Sequence, residues 1–329
     1  MGDNNRAGER RSIVERVVGA PISWGVCEVP GWGLQLPVDR VLGEMHDLGL
    51  RSTELGAIGW LPTDPGALRK QLAAHELRVI AAFVPLAAHD PERRDETLQS
   101  ATRMAELLED IGADHFVTAA VSDPEDWQRP ELSEEHWAHL FEMLDEIESI
   151  TTSHGLHQVL HPHVNTIVET ADELQRVLDS SPVPICLDTG HVTIGGADPL
   201  ALATDHADRV GLVHLKDVRT GIAAQLNAGD LDLMSAVQAG LFAPLGEGDV
   251  PVADVITALE QRGYGGQYVL EQDVAITGGA PPPGEGPVRD VAKSVAYLRS
   301  VDASLSATLR DGATAVAGTA PTTEQRGNP

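Results

Sequence analysis

The sequence predicts a (β/α)8 TIM barrel, an α/β fold. Three observations lead there. Short apolar runs suited to buried strands alternate with longer amphipathic segments suited to helices, and eight such units can be counted. The first apolar run continues as Gly25-Val26-Cys27-Glu28 and lacks the GxGxxG turn that a dinucleotide-binding sheet would want. A chain of 329 residues with 42% hydrophobic and 22% charged residues is also long enough to bury one large barrel core.

The expected strands are Gly19–Trp24, Ser52–Leu55, Arg78–Val84, His115–Ala119, Gln158–His161, Pro184–Asp188, Val210–His214 and Gln267–Glu271, each a short apolar run. Helical patterns fall between them at Pro37–Leu48, Pro65–His75, Glu92–Ile111, Glu134–His154, Ala171–Leu178, Leu200–His206 and Val252–Arg262. A further helix is expected at Val288–Ser300, after the last strand. One connection is unusually long. After His214-Leu215-Lys216-Asp217 the chain runs about thirty residues before the next helix, and an insertion after a barrel strand falls on the catalytic face, where it can cover substrate. Residues 1–14 are polar and residues 304–329 are rich in Ala, Thr, Gly and Pro. They are expected as a mobile N-terminal and a disordered C-terminal tail around a single catalytic domain over 15–303.

With 23 Lys+Arg against 50 Asp+Glu the formal net charge is −27, which argues against nucleic acid or an anionic membrane as partner. The two cysteines, Cys27 and Cys186, imply no disulfide framework. Neither a signal-peptide pattern nor an apolar run of membrane-spanning length occurs, so the expected compartment is the cytoplasm and the expected partner a small molecule, with a homo-oligomer left open.

Functional groups of a barrel stand at the C-terminal ends of its strands. Four consecutive strands end in His161-Pro162-His163, Asp188-Thr189-Gly190-His191, His214-Leu215-Lys216-Asp217 and Glu271-Gln272-Asp273, and the second strand ends in Thr53-Glu54-Leu55-Gly56. Taken singly, such a carboxylate more often caps a helix and such a histidine more often sits hydrogen-bonded in the core. Taken together, two imidazoles and two carboxylates on one rim form a mixed N/O set suited to Mn²⁺, Co²⁺, Fe²⁺ or Zn²⁺. Trp24 and Trp60 are candidate walls of the cup.

The segments Cys186-Leu187-Asp188-Thr189-Gly190-His191, Val213-His214-Leu215-Lys216-Asp217, Pro244-Leu245-Gly246-Glu247-Gly248 and Tyr268-Val269-Leu270-Glu271 resemble the xylose-isomerase-like TIM barrel superfamily of sugar isomerases, epimerases and endonuclease IV. Ala20-Pro21-Ile22-Ser23-Trp24-Gly25, Thr53-Glu54-Leu55-Gly56 and Leu160-His161-Pro162-His163-Val164-Asn165-Thr166 are most similar to its inosose dehydratase branch. The resemblance implies metal ligands at Asp188, His214 and Glu271, with His161 standing where most isomerases and epimerases have a glutamate. His163, on the same side two residues on, is the competing fourth ligand and otherwise a substrate contact or proton carrier. From their positions the candidate proton carriers are His191, three residues beyond Asp188, and Lys216, two beyond His214 on the same face, with His163 and Glu54 completing the catalytic group. The expected activity is a Mn²⁺- or Co²⁺-dependent dehydratase, a hydro-lyase acting through an enolate on a cyclic polyol ketone such as 2-keto-myo-inositol. The alternative is an isomerase or epimerase sharing the same first step. Endonuclease IV needs extra histidines on strands two and three and an Asp-x-His after strand seven. Glu54 and Lys216-Asp217-Val218-Arg219 depart from that pattern. A degenerate barrel acting as a sensor is opposed by the intact His161, Asp188, His214 and Glu271.

Overall fold

The computed structural model describes residues 11–317, apart from 28, 30 and 125–128. Eight parallel strands close into a barrel: β1 (Val17–Gly19), β2 (Ser52–Glu54), β3 (Arg78–Leu86), β4 (His115–Ala120), β5 (His157–Leu160), β6 (Ile185–Asp188), β7 (Val210–Leu215) and β10 (Tyr268–Leu270). Around it pack α1 (Val38–Asp47), α2 (Pro65–Ala74), α3 (Arg94–Ile111), α4 (Glu134–Ser153), α5 (Ala171–Ser180), α6 (Thr189–Ile194), α7 (Pro199–Asp205), α8 (Thr220–Asn227), α9 (Leu233–Gln238), α10 (Val252–Gln261) and α11 (Pro287–Ala317). No described helix is long and apolar enough to cross a membrane. Side-chain caps set several helix starts: Asp64 accepts from Ala67 N, and Thr170 with Glu173 forms a capping box.

Three expected boundaries shift. The first strand is Val17–Gly19, whereas Pro21–Trp24 forms a tight 3-10 turn, because Pro21 has no N–H to give a strand ladder. Ser12 donates to Asp302 at 2.5 Å and Ile13 is fully buried, so the chain is already anchored two residues before 14. The last helix continues to Ala317, past residue 303, where the catalytic domain was expected to end. Residues 1–10 and 318–329 of the expected tails lie outside the described residues.

The long connection after β7 contains α8, α9 and a small antiparallel ribbon, β8 (Asp217–Val218) with β9 (Phe242–Ala243). Buried Asp217 organises it. Its carboxylate accepts from Gly246 N at 2.8 Å, Gly248 N at 3.0 Å and Val250 N at 3.0 Å. The Pro244–Gly248 motif is therefore a turn wrapped on one carboxylate, and a Cβ on Gly248 would lie 2.2 Å from Asp217 Oδ1.

Alternation along the strands sorts the core into two shells. Val18, Ile80, Val117, Val159, Cys186, Leu212 and Val269 fill the barrel interior, while Leu160, Leu187, Val213 and Leu270 face the helices. Two residues beyond four of the inner ones come His161, Asp188, His214 and Glu271. The apolar layer is thus the floor on which the polar site stands.

Candidate active site

All eight site residues expected from the sequence, Glu54, His161, His163, Asp188, His191, His214, Lys216 and Glu271, come together at the C-terminal mouth of the barrel, and all but half-buried His163 are buried. His161 Nε2 lies 3.4 Å from Asp188 Oδ2, and His214 Nδ1 lies 3.8 Å from that oxygen and 3.1 Å from Glu271 Oε2. Among the described residues, both ring nitrogens of His161, Asp188 Oδ2 and His214 Nδ1 are buried without a hydrogen bond. Such atoms are rare in a folded interior, and here His161 Nε2 and His214 Nδ1 both face Asp188 Oδ2. The second oxygen of Asp188 is occupied, accepting from Gly190 N and His191 N at 2.9 and 2.8 Å as the cap of α6. His214 Nε2 is also occupied, 3.0 Å from Glu54 Oε1. The side chains are thus fixed from behind while their other atoms face one another. Glu54, His214 and Glu271 form one group with ligand atoms near enough to share an ion, and His161, Cys186 and His214 form another.

The electrostatics follow from this crowding. Burial would raise the Asp188 carboxyl, but Lys216 and His161 outweigh it and bring it to about 2. For Glu271, His214 and Lys216 likewise overcome burial and hold it well below the usual range. Burial lowers His161, and it lowers His163 and His191 well below the ordinary imidazole value, so these rings are neutral. Burial pushes the Cys186 thiol up to about 11, which keeps it protonated.

Two residues were not legible as site members. Asp273 lies 3.0 Å from Lys216 Nζ, and burial raises its carboxyl to about 6. Its place two beyond Glu271 was the available signal. Trp32 lines the cavity, whereas the expected walls do not: fully buried Trp24 donates to Glu44 and Trp60 donates to the Leu36 carbonyl. The inserted segment after β7 does reach the cavity, through Asp232, Leu233 and Met234.

Residues 42–301 match the family model of the xylose isomerase-like TIM barrel. An inosose dehydratase of Geobacillus kaustophilus (strain HTA426) is 32% identical over 271 residues, which is 78% of this chain and 87% of that one. The rhizopine catabolism protein MocC of Rhizobium meliloti is 32% identical over 263 residues, 77% of this chain and 80% of its own. Among solved structures, the IOLI protein with a binding zinc atom superposes with a TM-score of 0.65 at 14% identity, covering 88% of this chain and 99% of that one. On the family match over most of its length, together with the closed parallel barrel, this chain belongs to the xylose isomerase-like TIM barrel family.

Proposed function

We propose that this protein is a divalent-metal-dependent dehydratase of cyclic polyol ketones, with 2-keto-myo-inositol as its reference substrate. The observation that carries the reading is the set of buried atoms without a hydrogen bond on His161, Asp188 and His214, facing one another beside Glu271, a donor set of two imidazoles and two carboxylates that fits an ion such as Mn²⁺ or Co²⁺. The inosose dehydratase relative supports the choice of substrate.

His161, Asp188, His214 and Glu271 would hold the divalent cation, which when bound would supply Lewis-acid polarisation of the ketone and so ease loss of the adjacent proton. The chain's own residues supply the remainder. Glu54 holds the Nε2 side of His214, leaving Nδ1 for the cation. Neutral His163 and His191 and the Lys216 ammonium carry protons: one group removes the proton α to the ketone, and another protonates the β-hydroxyl as its C–O bond breaks. The alkene forms as water leaves, and the resulting enol tautomerises to a dione. The 32% identical relative, the placement of His161 in the glutamate's position and the neutral histidine pair beside it favour elimination over rearrangement.

The test is direct. Protein stripped of metal, reloaded with Mn²⁺ and given 2-keto-myo-inositol should produce the ultraviolet absorbance of a dione. Metal-loaded, folded protein that produces none contradicts the reading.

A further inference from the structure

The cavity above the cluster is larger than a bare cyclic polyol needs, and much of its wall is apolar. Its volume is about 520 Å³. A cavity of ~150 Å³ takes a benzene-sized ring, so a six-membered ring carrying six oxygens needs on the order of 200–300 Å³ and leaves nearly half the space. Most of the polar groups stand at the strand ends, with Asn165 after β5 and Asp232 at the start of α9 as exceptions. The rest of the lining includes Ile22 and Val26 after β1, Trp32, Phe83 of β3, and Leu233 and Met234 of α9. Ile22, Phe83, Leu233 and Met234 are only half-buried, so they offer apolar surface to whatever fills the space. The Ile22 and Met234 walls flank β10 through the β1 and β7 connections, whereas Phe83, across the barrel, lies beside the rings of His161 and His163.

Charge narrows the class further. Away from the ion that the dehydratase reading places at the strand ends, the lining holds the acids Glu54, Asp232, Glu271 and Asp273 against the ammonium of Lys216. That ammonium is already within 3.4 Å of Asp188, Glu271 and Asp273, so none of the described lining residues is left to receive a phosphate or carboxylate. The extra space therefore suits an uncharged group. A free polyol would turn some of its hydroxyls towards walls that cannot hydrogen-bond them.

Resting on the dehydratase reading above, we infer that the preferred substrate is a cyclic keto-polyol carrying an uncharged apolar substituent, an O-alkyl or O-aryl ether, which the Ile22–Met234 side of the cavity receives. The ring and ketone stay at the strand ends, and the elimination is unchanged.

The experiment compares kcat/KM of the Mn²⁺-loaded protein for 2-keto-myo-inositol and for each of its mono-O-benzyl ethers, with binding measured separately by calorimetry. At least one ether should be dehydrated with kcat/KM tenfold or more above the parent, mainly through a lower KM, since even one well-placed methylene discriminates by roughly tenfold or more. Met234→Asn or Ile22→Asn should bring that ratio towards one. If the parent is dehydrated and no ether surpasses it, the inference is overturned while the dehydratase reading stands. If an ether binds more tightly than the parent but neither is dehydrated, the pocket assignment survives and the dehydratase reading fails. No turnover and no binding preference overturns both.

Discussion

Lys216 Nζ sits 2.8 Å from His191 Nε2, joining a buried ammonium to a buried neutral imidazole. Burial opposes the charge on Lys216, but Asp188, Asp273 and Glu271 outweigh it and hold its pKa well above the ordinary range. His191 also stacks on His163, with ring centroids 3.7 Å apart. Three groups able to carry protons thus lie side by side near the carboxylates, as a reaction that both takes and returns a proton requires.

Lys216→Met should lower kcat by about 10²- to 10⁴-fold, the usual weight of a positioned acid or base, with metal content unchanged. Lys216→Arg should not restore it, because the planar guanidinium cannot occupy a point among three carboxylates and an imidazole. Steady-state kinetics paired with elemental analysis reads both quantities.

Asp188→Asn separates the two oxygens of Asp188. The amide can still cap Gly190 and His191 through its oxygen, so thermal stability should change by less than the ~1 kcal/mol of a lost cap, while the anionic ligand is gone and bound metal should fall below stoichiometric. Glu271→Ala should lose the ion as well. Full activity after chelation, or stoichiometric metal in Asp188→Asn, would contradict the assigned site.

Both nitrogens of His161 are buried without a hydrogen bond, whereas His163 Nδ1 is 2.6 Å from the Val164 carbonyl. His161→Ala should therefore release the metal and His163→Ala should retain it at reduced turnover. His161→Glu should retain metal, since the same ions accept carboxylate, and should slow turnover by making the site more negative. Metal analysis of the three variants decides between the two histidines.

A separate prediction concerns the opposite end of the barrel. Burial lowers His115, at the start of β4, to about 4. The unfolded chain titrates near 6.5, so as pH falls from 6.5 to 4 the unfolded state binds the extra proton and stability is lost, by at most about 3 kcal/mol at this site. His115→Gln should flatten that part of the pH dependence, read as the difference in urea midpoint between pH 7 and pH 4.5 for each protein.

The parts of this fold that were legible in the sequence are those where periodicity and position carry the same message. Cys186 and Asp188, or Leu212, His214 and Lys216, alternate inward along strands whose outward residues are equally apolar, so counting by two from the buried layer reaches the site. Legibility failed where burial hides the period. Pro21–Trp24 is as apolar as a strand but turns, and α6, Thr189–Ile194, is buried on nearly every side, so it shows no amphipathic stripe. The tryptophans misled for a related reason: Trp24 and Trp32 are both buried, and only the fold determines which ring faces the cavity.

The central claim, that this site eliminates water from a cyclic polyol ketone, is tested most directly by the mass of the product. Mn²⁺-loaded protein should convert 2-keto-myo-inositol to a compound lighter by one water, with solvent deuterium incorporated when the reaction runs in deuterated water. Recovery of an isomeric ketone of unchanged mass, apart from exchanged deuterium, would contradict dehydration and identify the protein as an isomerase or epimerase.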